Sequence, residues 1–261
     1  ETVRVGDAGN AADTRYATPG YGCVGYNYNI GKYEVTAAQY TEFLNAKAAT
    51  DTYGLYHTFM WGSGDGCRIQ RSGSSGIYTY SVASDYANRP VNYVNYWATL
   101  RFSNWLNNGQ GNGDTETGAY TLNGYNGNDG RTIQRNAGAN WFLPYENEWY
   151  KAAYYKGGGA NAGYWDYADQ SNSMPSNLLG NPTDAGNNAT CLTITYTNTI
   201  GAPYWRTEVG AHENSESAYG TFDQGGNVTE WNEAVYSVGE TNSLRCFRGG
   251  GYSSFDHNLI A

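Results

Sequence analysis

The chain has 261 residues, enough for one large domain with a sizeable core. Its formal net charge is −9, only 15% of residues are charged, and Lys and Arg form no run, so no basic cluster is available to displace counterions from phosphate and nucleic acid is excluded as a partner. No apolar run is long enough to cross a bilayer as a helix.

The acidity reads as solubility plus a few cation sites. With 26 Tyr and 35 Gly and few charges, the composition is that of an exported protein. Glu1-Thr2-Val3-Arg4 is no signal peptide, so the expectation is a secreted chain in its mature form. Cys23, Cys67, Cys191 and Cys246 lie far apart without a C-x-x-C pair. Two disulfides are expected, with three pairings possible.

In chain order, residues 1–20 read as an extended arm. Val24–Lys32 suggests a strand closing on Gly31. Thr36 followed by Gln39 predicts a capping box and a helix burying Tyr40, Phe43 and Leu44. Residues 48–90 read as a long loop over Trp61, Cys67 and Ile69, with a strand at Ile77–Val82. Asn95 is expected to cap a second helix, Tyr96–Leu106, which ends at Asn107-Asn108-Gly109. Residues 110–130 read as surface loop; Asp114, Glu116, Asn126, Asn128 and Asp129 are either a cation loop or solvated side chains. A third helix is expected over Tyr145–Tyr155, with Glu146 and Glu148 favourable against its dipole. Residues 164–215 show no periodicity. Asn188-Ala189-Thr190 and Asn227-Val228-Thr229 are glycosylation sequons, a short pattern that arises often by chance.

The most informative stretches are Gly220–Glu233 and Arg248–Ser254. Asp223 and Glu230 bracket Gly225-Gly226, a turn that gathers carboxylates and main-chain carbonyls, as a hard cation such as calcium requires. Gly226-Asn227-Val228-Thr229-Glu230-Trp231 resembles the Gly-Asn-Val-Trp-Glu-Trp signature of the formylglycine-generating enzyme (sulfatase-modifying factor) family. Arg248-Gly249-Gly250 resembles its Arg-Gly-Gly-Ser-Trp signature. Gly31–Thr36, Arg89–Val94 and Leu143–Trp149 agree in order, so the resemblance spans residues 31 to 254.

The resemblance implies an α+β, C-type-lectin-like fold, rich in loops, with short strands and about three helices, read here as a single domain over 1–261. It also implies a calcium site whose ligands are the Asp223 side chain, the Gly226 and Val228 carbonyls and the Glu230 carboxylate. A second calcium site is expected among Asp184, Asn187, Asn188 and the 195–198 backbone. The family's oxidases hold copper with two cysteines; those positions are Ser254 and Leu259 here, so copper is not expected. His57, His212 and His257 show no ligand spacing, and Ser254, Asp256 and His257 are a nucleophilic set only on paper. Cys246, with Cys191, is the one alternative thiol source near the motif. The family's closing strand would follow Ile260-Ala261, and its absence would leave an edge open to another chain.

The leading expectation is a secreted, non-catalytic, calcium-stabilised module binding a protein or glycan, or further copies of itself. The alternatives are a structural subunit of a self-assembling extracellular polymer and a formylglycine-generating oxidase acting on a protein cysteine.

Overall fold

A computed structural model describes residues 1–180, 186–238 and 243–261. The chain divides into two compact units. The first comprises Glu1–Glu34, Pro144–Glu230 and Phe247–Ala261; the second comprises Val35–Leu143 and Trp231–Cys246.

In the second unit, helix α1 (Ala37–Lys47) starts at the expected capping box. Gln39 N–H donates to Thr36 Oγ1 at 3.3 Å, and Thr36 N–H donates to Gln39 Oε1 at 2.9 Å. Helix α2 (Phe59–Gly62) is a single turn, and β3 (Ile69–Ser72) pairs antiparallel with β4 (Thr79–Val82). Helix α3 (Tyr96–Asn107) is capped by the Asn95 side chain, which accepts from Ala98 N–H at 2.9 Å. Their apolar faces meet in an aromatic core in which Phe43 lies edge-on to Phe102 at 5.3 Å. Met60, Cys67 and Ile69 are wholly buried there. Trp61 and Ile77 are exposed, because one turn of α2 turns inward only Met60 and β4 begins after Ile77.

The Gly- and Asn-rich 110–130 segment is not merely a solvated loop. Ala119, Tyr120 and Leu122 are buried against Tyr96 and Leu100. The buried Arg101 guanidinium anchors the segment, donating to both Glu116 oxygens at 2.7 and 3.0 Å and to the Tyr125 carbonyl at 3.0 Å. Asp114 accepts the Glu116 and Thr117 N–H groups, and Asp129 pairs with Arg131 at 2.7 Å. Asn126 reaches Arg101 at 3.5 Å. The acids considered for a cation loop are thus answered by arginines and backbone donors.

In the first unit, β1 (Thr2–Val5) pairs antiparallel with β2 (Tyr28–Gly31), so the expected arm begins as a strand. Helix α4 (Glu146–Tyr154) buries Trp149, Tyr150 and Tyr154 with Tyr155 and Tyr164. Glu148 does more than face a dipole: buried, it accepts from Tyr145 N–H at 2.6 Å and Tyr26 OH at 2.7 Å. Glu146 pairs with Arg248. A 3-10 turn spans Asp256–Leu259, and strands β5 (Glu230–Val238) and β6 (Ser243–Arg248), most of whose residues belong to the second unit, form a third two-stranded sheet.

The cysteines depart from expectation. No disulfide joins Cys23, Cys67, Cys191 and Cys246 among the described residues. Cys67 and Cys191 are buried in separate apolar clusters, which keeps them from pairing with each other.

Candidate metal site

The turn after Phe222 is held open by left-handed backbone at Asp223 (φ 63°), Gly226 (φ 101°) and Asn227 (φ 55°). Gly226 is required for a second reason: a Cβ there would lie 2.5 Å from the Thr190 carbonyl oxygen. Gly226 N–H donates to the Gly249 carbonyl at 2.7 Å, and Asn227 N–H to the Thr190 carbonyl at 2.8 Å. The 220–233 and 248–254 stretches are therefore stitched together by main chain.

Around this turn the first unit gathers the buried Glu34 carboxylate and the half-buried Asp223 and Glu230 carboxylates. Asp223 Oδ2 accepts from Gly210 N–H at 2.6 Å. Glu230 Oε2 accepts from Trp149 Nε1 at 2.8 Å. Glu34 accepts from Asn227 Nδ2 at 2.8 Å and from Val228 N–H at 3.0 Å. Burial pushes Asp223 up to about 6 and Glu230 up to about 7, and the charge of Asp223 adds to the effect at Glu230. Burial, and then the charges of Asp223 and Glu230, push Glu34 well above the carboxylate range. Among the described residues no Lys or Arg pairs with any of the three.

Two further observations point to a cation. Neither the Gly226 nor the Val228 carbonyl accepts a hydrogen bond among the described residues. Asn227, wholly buried, has an Oδ1 without a partner. Among the described residues no three His, Cys, Asp or Glu side chains form a metal-ligating group. A cation here would therefore draw on main-chain carbonyls as well as carboxylates, and the all-oxygen donor set fits calcium. Glu34 was missed in the sequence as a site residue: Tyr33-Glu34-Val35-Thr36 marks a helix start, and nothing local links it to a turn some two hundred residues on.

The other expected site residues are dispersed. Asp184 lies outside the described residues. Asn187 donates to the Met174 carbonyl at 3.3 Å, Asn188 to the Gly186 carbonyl at 2.9 Å, and the Thr197 carbonyl accepts from Thr193 N–H and Asn177. Ser254 Oγ accepts from Gly251 N–H at 3.0 Å, and no hydrogen bond joins it to His257. Asp256 does pair with His257 at 3.4 Å. Leu259 is buried with Tyr167, Ala189 and Cys191, and burial pushes the Cys191 thiol up to about 12. Asn227 is wholly buried, which leaves no room for a glycan on its side chain in the folded chain.

Short paired strands, three principal helices and long stitched loops define an α+β, formylglycine-generating-enzyme-like fold. Residues 3–260 match the sulfatase-modifying factor enzyme 1-like domain, and the chain belongs to that family. Among solved structures, CarF is similar at 20% identity with a TM-score of 0.54, over 100% of this chain and 90% of that one. Treponema denticola variable protein 1 is similar at 18% identity with a TM-score of 0.52, over 99% of this chain and 86% of that one. At such identities the likeness is one of fold. No curated protein matches the chain.

Proposed function

We propose that this chain is an exported, non-catalytic module whose fold is stabilised by calcium and whose tyrosine- and amide-rich loops bind a protein or glycan. The ligands are the Asp223 and Glu230 carboxylates and the Gly226 and Val228 carbonyls. The observation that carries the reading is a set of buried and half-buried carboxylates that, among the described residues, have no basic partner and stand beside two carbonyls that accept no hydrogen bond. Buried charge without compensation is costly, and a divalent cation removes that cost.

The non-catalytic part rests on residue chemistry. Ser254 and Leu259 occupy the positions of the family's two copper thiolates, and a hydroxyl and an isobutyl group offer a soft ion no sulfur. Exposed tyrosines such as Tyr16, Tyr26, Tyr145 and Tyr196 supply amphipathic contact area at low entropic cost. Melting in EDTA and after calcium is restored tests the reading. Calcium should raise the melting temperature, and identical curves would overturn the calcium assignment.

A second reading, a self-assembling subunit, is favoured by β5–β6, a two-stranded sheet that exposes Tyr236 and Leu244. Native mass distinguishes it: a monomer at all concentrations rules it out.

A further inference from the structure

Asp169 stands on a tight turn in which Tyr167 N–H donates to the Ser171 carbonyl at 2.9 Å and Gln170 adopts a left-handed backbone (φ 59°). The turn is pinned further by Gln170 Nε2, which donates to the Glu216 carbonyl at 3.0 Å. Both Asp169 carboxylate oxygens are sealed from solvent, and among the described residues neither accepts a hydrogen bond. This differs from the other acids withdrawn from solvent in this unit. Glu34, Asp223, Glu230 and Glu148 each accept at least one N–H.

Asp169 lines a cavity of about 20 Å³, a volume that suits one water molecule or one ion. Asn188, His212, Ser215 and Asp223 line it as well, and its wall contains no Lys, Arg, Cys or Met. The imidazole His212 is engaged at Nε2, 3.2 Å from Thr190 Oγ1. The wall therefore carries two carboxylates, amide and hydroxyl oxygens, and no fixed positive charge. A carboxylate buried without donor or counter-ion is expensive, and it is relieved either by a proton or by a cation. The Asp169 carboxylate supplies negative charge beside the shared Asp223, and oxygen donors without sulfur select a hard ion.

We infer that the Asp169 cavity is a cation site of its own, taking a calcium-sized hard divalent ion through the Asp169 carboxylate. It involves neither Glu230 nor the Gly226 and Val228 carbonyls, but its wall shares Asp223 with the calcium turn proposed above, so the two sites are told apart through Asp169 and Glu230.

Equilibrium dialysis of the metal-free full-length chain against calcium, with Asp169→Asn and Glu230→Gln variants alongside, tests the inference. Asn keeps the shape of Asp and removes the uncompensated charge, so metal-free D169N should melt at or above the wild-type temperature, which shows that it is folded. The wild type should bind one calcium equivalent more than D169N. Terbium emission sensitised by the neighbouring tyrosines should fall by the same step in D169N. If D169N binds as much calcium as the wild type, the cavity holds a water beside a protonated carboxyl and the inference is overturned. If E230Q loses no equivalent while D169N loses one, the Asp169 site stands and the calcium turn falls.

Discussion

Glu34 and Asn227, 193 residues apart in sequence, meet through a buried hydrogen bond in which Asn227 Nδ2 donates to Glu34 Oε2 at 2.8 Å. The same carboxylate takes Val228 N–H at 3.0 Å, so one side chain orients both residues that flank the turn's central carbonyls. Glu34→Ala should leave the Asn227 amide and the Val228 N–H without an acceptor. A loss of about 1–3 kcal/mol for each buried unsatisfied group is expected in urea unfolding, together with weaker calcium binding. Full retention of calcium affinity in E34A would separate Glu34 from the site.

The carboxylate cluster also sets a pH dependence. Asp223 is raised from 3.8 to about 6 and Glu230 from 4.5 to about 7 in the fold, so between those limits the folded chain holds more protons than the unfolded one. The stabilisation this gives is full below the ordinary carboxylate range and is lost as pH rises through about 6–7. A two-unit displacement corresponds to about 3 kcal/mol. Metal-free protein should therefore melt lower at pH 8 than at pH 5, and calcium should reduce or reverse that slope. A metal-free melting temperature that climbs steadily from pH 5 to 8 would contradict the cluster's geometry.

Gly226 tests the backbone of the turn. Alanine there must hold φ near 101° and place its Cβ 2.5 Å from the Thr190 carbonyl oxygen. Strained backbone of this kind costs on the order of 1–3 kcal/mol, and the Thr190 contact should bring G226A to the upper end of that range or beyond. Thermal or urea unfolding gives the number, and a neutral G226A would show that the turn can open without cost.

Arg101 tests the other unit. Its buried guanidinium grips both Glu116 oxygens and lies 4.0 Å from the Tyr53 ring centroid. Arg101→Ala removes the anchor of the 110–130 segment and leaves Glu116 without its cation; losses of about 3–5 kcal/mol accompany such breaks in buried pairs. Limited proteolysis should then cut within 110–130 before anywhere else.

The thiols give a direct check on the cysteine assignment. Native alkylation followed by peptide mapping should label Cys23, which is exposed, and leave Cys67 and Cys191 unlabelled until the chain unfolds. Disulfide-linked peptides in the unreduced digest would contradict the absence of disulfides.

The features legible in the sequence are those whose cause is local. Thr36 with Gln39, and Asn95 ahead of Tyr96, announce helix starts because a cap satisfies N–H groups two or three residues away. Asp223, Gly226 and Glu230 stand within one turn, so their grouping is visible as spacing. The family signatures likewise follow from short runs. What tertiary structure alone decided is which distant groups share a low-dielectric volume. Glu34 arrives from the start of the chain, Trp149 from α4 ties Glu230, and Thr190 presses on Gly226, none of which spacing encodes. Composition marked 110–130 as loop, yet Arg101 and three buried side chains draw it into a core, because one well-placed guanidinium satisfies a carboxylate and a carbonyl at once. In the sequence Asp169 is one acid among many. Only burial of both its oxygens, without a donor, sets it apart, since charge becomes costly where water is excluded.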